Sequence, residues 1–277
     1  MPLVAITREM GSLGKDVASG LAEALGVPLI YHEVADHLAD RMRVRKSHVI
    51  RLLDGKASLL ERLTADKTSL SIFTADEIVN LALGKGAVIR GWGATHLLRE
   101  VPHAVCVRVC APFEVRKRRM MNRVGSAGSA DEDKVSDEIR QNDEAHTAIM
   151  RRNFSLQWTD SEHYDVALNT QRVSVKECID KVKGLLQSPE FAETEQSRER
   201  LQDIALAWRV RATLRLSPRT RSMRVSVSAE RGRLILAGIV DSVEDRVALN
   251  EVAGAVEGVR EIEDKLRSPD AVRPRFP

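Results

Sequence analysis

Leu3-Val4-Ala5-Ile6-Thr7-Arg8-Glu9-Met10-Gly11-Ser12-Leu13-Gly14-Lys15-Asp16 is the stretch whose reading decides the fold. The apolar run Leu3–Ile6 has the brevity and side-chain type of a buried strand, and the glycines that follow mark a loop. Beyond the loop Val17, Ala18, Leu21, Ala22 and Leu25 recur at helical spacing. Gly26 is a C-terminal stop, and Val27-Pro28-Leu29-Ile30-Tyr31 reads as the next strand. Together these make a βαβ opening. A glycine loop running straight into a helix presents backbone N–H groups and the positive helix end to an anion, a geometry that can surround a phosphate. Gly11, Ser12, Leu13, Gly14, Lys15 and Asp16 are therefore candidate phosphate-loop residues, with Lys15 a mobile cation for the β- and γ-phosphates.

The match to GxxxxGK[ST] is incomplete, because its first glycine falls at Glu9 and its hydroxyl residue at Asp16. A carboxylate at 16 can hold Mg²⁺ directly or through water, and without the metal it repels the triphosphate beside it. The competing reading is a glycine-rich turn with a surface lysine.

The alternation continues outward. Thr74 and Glu77 have capping-box spacing before Ile78, Val79, Leu81 and Ala82, and Gly84 closes that helix ahead of the strand Ala87–Arg90. His103–Cys110 reads as a further strand, and Pro112 starts a basic helix that runs through Arg123. Gly125–Ala130 is a glycine- and serine-rich tract suited to a mobile lid, followed by a polar helix from about 131 to 152. Asp165–Asn169 makes a fifth strand, and Val175, Cys178, Ile179, Val182 and Leu185 give an amphipathic closing helix. Short strands alternating with helices imply an α/β fold, a parallel sheet covered on both faces.

Composition sets outer bounds. With 277 residues, 43% hydrophobic and 30% charged, the chain suits two globular units. A formal charge of +3 is too small for a general polyanion binder, so no nucleic-acid partner is expected and any anion site is local. Cys106, Cys110 and Cys178 lack the spacing of a zinc site or a disulfide framework and read as core residues. No apolar run approaches the length of a membrane span and the first residues lack signal-peptide flanks, from which a cytoplasmic location is expected.

On the helix before the lid tract, Arg116, Arg119 and Arg123 share one face. Guanidinium forks suit phosphate oxygens during phosphoryl transfer, so Arg116 and Arg119 are, with Lys15, the candidate catalytic residues; a solvated basic face is the alternative.

Ile6–Lys15, Gly91-Trp92-Gly93-Ala94, Ala111–Arg116 and Tyr164–Thr170 together resemble the cytidylate kinase-like family of P-loop proteins over about residues 1–186. The resemblance implies a five-stranded parallel sheet, ATP with Mg²⁺, transfer to a nucleoside monophosphate and an arginine-bearing lid. That family usually places an aspartate at the end of the second strand, an arginine in a Gly-Arg-Gly loop and an arginine three residues after the lid-helix aspartate. Tyr31, Trp92 and His146, the last after Asp143, stand there instead. Glu33 and Arg90, each two positions from a departure and on the same strand face, are candidate substitutes. With Trp92 and Asp143 they make up the expected acceptor-binding set. Trp92 could stack on a base or serve as a core aromatic, and His146 reads as a helix-surface residue.

Residues 187–199 are polar and read as a linker. Beyond them a helix over Leu201–Trp208, a hairpin turning at Glu230–Arg233, a helix through Val247–Val256 and a strand near Val259–Leu266 give an αββαβ order. Val225–Ala229, Leu234–Val240, Ser242–Arg246 and Gly258-Val259-Arg260 resemble the BON domain over about 200–268. That resemblance implies a phospholipid or other ligand. Arg211, Arg215, Arg219, Arg221 and Arg224 could meet anionic headgroups, but without an export signal a regulatory or oligomerising role is the preferred expectation, membrane contact being disfavoured and homo-oligomerisation left open. The tail 269–277 is expected to be disordered. Three readings follow: a phosphotransferase acting on a nucleoside monophosphate, a nucleotide-sensing regulator whose acceptor site has been lost, and a purely structural protein with both units as interaction modules.

Overall fold

The computed structural model describes residues 1–53, 66–125 and 131–267. Except for Gly125, the expected lid tract lies outside these residues, as does the tail from 268. In chain order the elements up to the first sheet's end are β1 (Leu3–Arg8), α1 (Gly14–Leu25), β2 (Leu29–Ile30), α2 (His32–Met42), α3 (Lys46–Leu53), α4 (Lys67–Ala82), β3 (Ala87–Arg90), α5 (Ala94–Leu97), β4 (Ala104–Cys110), α6 (Phe113–Gly125), α7 (Glu132–Phe154), β5 (Val166–Asn169) and α8 (Val175–Leu186). The second sheet is built with α9 (Glu195–Leu216), β6 (Val225–Glu230), β7 (Arg233–Ile239), α10 (Val243–Gly254) and β8 (Glu261–Arg267). Two compact units result, one from Met1–Asp66 with Gly84–Thr194, the other from Lys67–Leu83 with Glu195–Pro277.

The first unit is a five-stranded sheet in the order β2-β3-β1-β4-β5, every pair parallel. From β1 the chain moves to β2 and β3 on one side, then crosses to β4 on the other. The carboxyl ends of β1 and β4 therefore flank a topological switch point, where open α/β sheets place their ligands. Strand β1 is central because both its faces are apolar: Val4 and Ile6 are fully buried in one core with Val17 and Leu21 of α1 and Val105, Val107 and Val109 of β4. Cys178 and Val182 of α8 join the same core. Cys106 and Cys178 are buried free thiols, and burial pushes the Cys106 thiol up to about 12, consistent with the apolar reading.

One local expectation fails. Thr74 does not cap a helix: α4 begins at Lys67, and the Thr74 hydroxyl donates back to the Leu70 carbonyl at 2.6 Å within it. Leu70 and Phe73, buried ahead of Thr74, extend the helix past the apparent start signal. A reciprocal capping box exists instead at α8, between Ser174 and Glu177.

In the second unit β7 pairs antiparallel with β6 and parallel with β8, in the order β6-β7-β8. Leu206, Val210, Leu234, Leu236 and Leu249 fill its core. The hairpin turns at Arg231 (φ 52°) and Gly232 (φ 78°), the pair of positive φ values a two-residue type I′ turn requires. Asp203 of α9 accepts both turn N–H groups, from Arg231 at 2.8 Å and Gly232 at 3.1 Å. Helix α4 packs on α9, where Arg209 donates to Asn80 at 3.0 Å and Arg215 to the Ser69 hydroxyl at 2.8 Å. Arg211 donates to the Val227 carbonyl and lies over the Trp208 ring, and Arg219 pairs with Glu251. Several arginines considered for headgroup contact thus have partners within the unit. Among the described residues no helix is long and apolar enough to cross a membrane.

Candidate active site

The loop between β1 and α1 is held by its own chain on three sides. The Ser12 N–H donates to the Glu9 carbonyl at 3.2 Å, the Ser12 hydroxyl accepts from the Gly14 N–H at 3.4 Å, and the Thr170 hydroxyl donates to the Ser12 carbonyl at 2.7 Å. Leu13 takes the left-handed conformation (φ 62°) that turns the chain into α1. Gly11 is needed on two counts: its φ is +80°, and a Cβ there would lie 2.9 Å from the Arg116 carbonyl oxygen. Among the described residues the N–H groups of Gly11, Leu13, Lys15 and Asp16 have no protein acceptor. They lie at the positive end of α1, with the Lys15 and Asp16 side chains exposed beside them. Such a run of unclaimed donors fits the phosphate chain of a nucleoside triphosphate. Among the described residues no group of three or more acidic, histidine or cysteine side chains could hold a metal ion. Mg²⁺ typically keeps its waters and binds through one or two carboxylates plus phosphate oxygens, a demand Asp16 alone can meet.

Arg116 lies beneath this loop rather than on a solvated face. Its side chain is only 8% exposed and forms a fork with Asp143 at 3.2 and 2.9 Å. It also donates to the carbonyls of Ala111 (3.0 Å) and Met10 (3.3 Å) and lies 3.4 Å from Glu9. Arg119 donates to the Gly11 carbonyl at 3.4 Å and to the hydroxyl and carbonyl of Thr170 at 2.9 and 2.8 Å. Both guanidiniums hold the loop in place from below. Asp143 of α7, expected in the acceptor set, is the partner of Arg116, and burial raises its pKa against the pull of that arginine.

Glu9 explains its own departure from the glycine motif. Its carboxylate, buried under the loop, accepts from the Ala111 N–H at 3.1 Å and from Arg108 at 2.7 Å, tying the end of β1 to the end of β4. Arg108 in turn lies over the Trp158 ring and donates to the Thr159 carbonyl. The pattern of residues alone assigns no site role to Glu9, Arg108 or Trp158. A charged residue at the carboxyl end of an otherwise apolar strand was the available signal.

Next to the loop is a cleft of about 80 Å³, lined among others by Thr7, Arg8, Tyr31, Arg90, Trp92 and His146. Arg90 lies 3.7 Å above the Tyr31 ring, whose ring stacks on Trp92 at 4.7 Å and 24°. Trp92 is presented by a loop in which Gly91, Trp92 and Gly93 all have positive φ, and a Cβ on Gly93 would strike the Phe154 ring at 2.5 Å. Glu33 is exposed, and its carboxylate accepts the Tyr31 N–H at 2.9 Å at the start of α2. His146 is half-buried on its helix, its ring packed on Trp158 at 4.1 Å. Burial first, then Arg8 and Arg108, press its pKa down to about 4, so it is neutral at physiological pH. Of the expected acceptor residues the fold thus brings Arg90 and Trp92 together in one cleft and places Asp143 with Arg116 under the loop.

Residues 3–172 match the model of the cytidylate kinase-like family, and residues 192–268 match that of the BON domain. Among solved structures, an uncharacterized protein from Eubacterium ventriosum shares 22% identity with a TM-score of 0.53, the match covering 68% of this chain and 99% of the other. A shikimate kinase from Bacteroides thetaiotaomicron shares 16% identity at a TM-score of 0.42, covering 68% of this chain and 99% of that one. No curated protein matches the chain.

Proposed function

Since the chain belongs to the cytidylate kinase-like family, we propose that its first unit is an ATP- and Mg²⁺-dependent phosphotransferase acting on a phosphomonoester, with nucleoside monophosphates the first acceptors to test. The observation that carries this reading is the set of unclaimed amides at Gly11, Leu13, Lys15 and Asp16 beside the exposed Lys15 ammonium. Bound Mg-ATP would supply the transferable phosphoryl group. The loop amides would bind its anionic oxygens, Lys15 would offset charge that shifts toward the leaving group, and Asp16 would hold the metal. Arg116 and Arg119 fix the loop in the shape those contacts require, which makes them positioning residues in the arrangement described. The second unit is a regulatory or ligand-binding module of the BON type.

A second reading has its own support. Trp92 stacked on Tyr31 and a neutral His146 stand where the family resemblance places arginines. A protein that binds ATP without an acceptor would be a nucleotide sensor.

A coupled ADP-release assay against CMP, dCMP, UMP, AMP and GMP decides between the two. Turnover with one or more acceptors is expected. ATP binding without turnover on any of them would leave the sensor reading in place.

A further inference from the structure

Arg8 ends β1 between the loop and the cleft. Its Cβ lies so near Gly14 that a methyl group there would come within 2.5 Å, and its side chain lines the cleft with Tyr31, Trp92 and His146. Neighbouring guanidiniums are committed: Arg116 to Asp143, Arg108 to Glu9, Arg119 to Thr170, while Arg90 lies over Tyr31. The Arg8 side chain makes no hydrogen bond or ion pair among the described residues. Among the described residues no carboxylate lines the cleft. Glu9 and Asp143 are held by Arg108 and Arg116, and Glu33 faces the Tyr31 N–H. The cleft therefore presents the uncommitted Arg8 guanidinium beside that of Arg90, an arrangement that favours an anion.

We propose, building on the phosphotransferase reading above, that Arg8 receives the phosphate of the acceptor. Its planar fork can take two phosphate oxygens at once, and its place against Gly14 sets that phosphate beside the donor loop. The cleft's roughly 80 Å³ is small against the ~300–1,000 Å³ of sites that enclose a drug-sized ligand. The phosphate enters, and the organic part of the acceptor stays at the mouth.

Calorimetry on the full chain, with inorganic phosphate and CMP as probes and the non-hydrolysable ATP analogue AMP-PNP with Mg²⁺ as a separate titrant, tests this. The wild type is expected to bind both probes, and Arg8→Ala to weaken each by about tenfold or more, the loss of one charge-assisted pair. AMP-PNP affinity should stay within about threefold. Arg8→Lys, which keeps the charge and loses the fork, should fall between; if Arg8→Ala does not fold by circular dichroism, an Arg8→Lys loss of about threefold carries the test. Wild-type affinity for phosphate and CMP in the folded variants, or a wild type that binds neither probe, overturns the proposal. AMP-PNP separates it from the reading beneath it. Arg8-dependent phosphate binding in a protein blind to AMP-PNP would sink the phosphotransferase and support the anion site, whereas AMP-PNP binding alongside phosphate and CMP affinities that Arg8→Ala leaves unchanged would do the reverse.

Discussion

Replacing Arg116 by alanine separates a positioning residue from a surface clamp. In the fold it is 8% exposed, makes a fork with Asp143, donates to two carbonyls and lies 3.4 Å from Glu9. Removing one partner of a buried pair typically costs about 3–5 kcal/mol, because the other charge is left without compensation. Two features pull the figure to the lower end: Asp143 keeps 29% of its side chain exposed, and Glu9 retains Arg108 at 2.7 Å. The expected loss is therefore about 3 kcal/mol, which for a unit of this size lowers Tm by roughly 6–12 °C. Urea unfolding followed by tryptophan fluorescence in a Trp208→Phe background reads it, since the remaining indoles, Trp92 and Trp158, both lie in the first unit. Arg116→Lys should lose about half as much, since an ammonium cannot reproduce the fork. A loss below about 1 kcal/mol for Arg116→Ala would refute the reasoning and return Arg116 to a solvated face free to clamp a phosphate.

Three other outcomes are expected. Lys15→Ala should weaken Mg-AMP-PNP binding by about tenfold or more while changing stability by less than about 0.5 kcal/mol, because the side chain is exposed and has no hydrogen bond or ion pair among the described residues; calorimetry and urea unfolding check the two halves. His146, at about 4 in the fold against 6.5 unfolded, takes up its proton more readily in the unfolded chain, so its contribution is complete above pH 6.5 and lost as pH falls toward 4. Unfolding free energies should show wild type losing about 2–3 kcal/mol more than His146→Gln across that window, and parallel pH curves would contradict the assignment. Asp203→Ala leaves the Arg231 and Gly232 N–H groups without their acceptor and should cost the second unit about 1–3 kcal/mol, measured through Trp208 fluorescence.

The sequence carried the architecture through periodicity. Val4 and Ile6, Val105, Val107 and Val109 and the α1 stripe are buried where their spacing put them, because a parallel sheet covered on both faces favours apolar strands. The type I′ hairpin at Arg231-Gly232 was likewise readable from its glycine. Thr74 misled because a capping signal is local, whereas the burial of Leu70 and Phe73 that extends α4 is set by packing. The candidate site was legible only in its loop. Gly11, Gly14 and Lys15 are neighbours in the chain, so their chemistry shows as a motif. The Glu9–Arg108–Arg116–Asp143 network joins residues up to more than a hundred positions apart through the parallel sheet, and only the fold brings them together. Arg116 on its helix face looks solvated until Glu9, Met10 and Asp143 are seen around it.

The central claim is that the amides from Gly11 to Asp16 seat the phosphates of a nucleoside triphosphate. Amide NMR of the full chain titrated with Mg-AMP-PNP addresses it residue by residue. The account predicts that the largest shifts fall on the N–H groups of Gly11, Leu13, Lys15 and Asp16, with Ser12, already bonded to Glu9, moving less. Saturable binding that leaves those amides unmoved, or no binding at millimolar analogue, would contradict it.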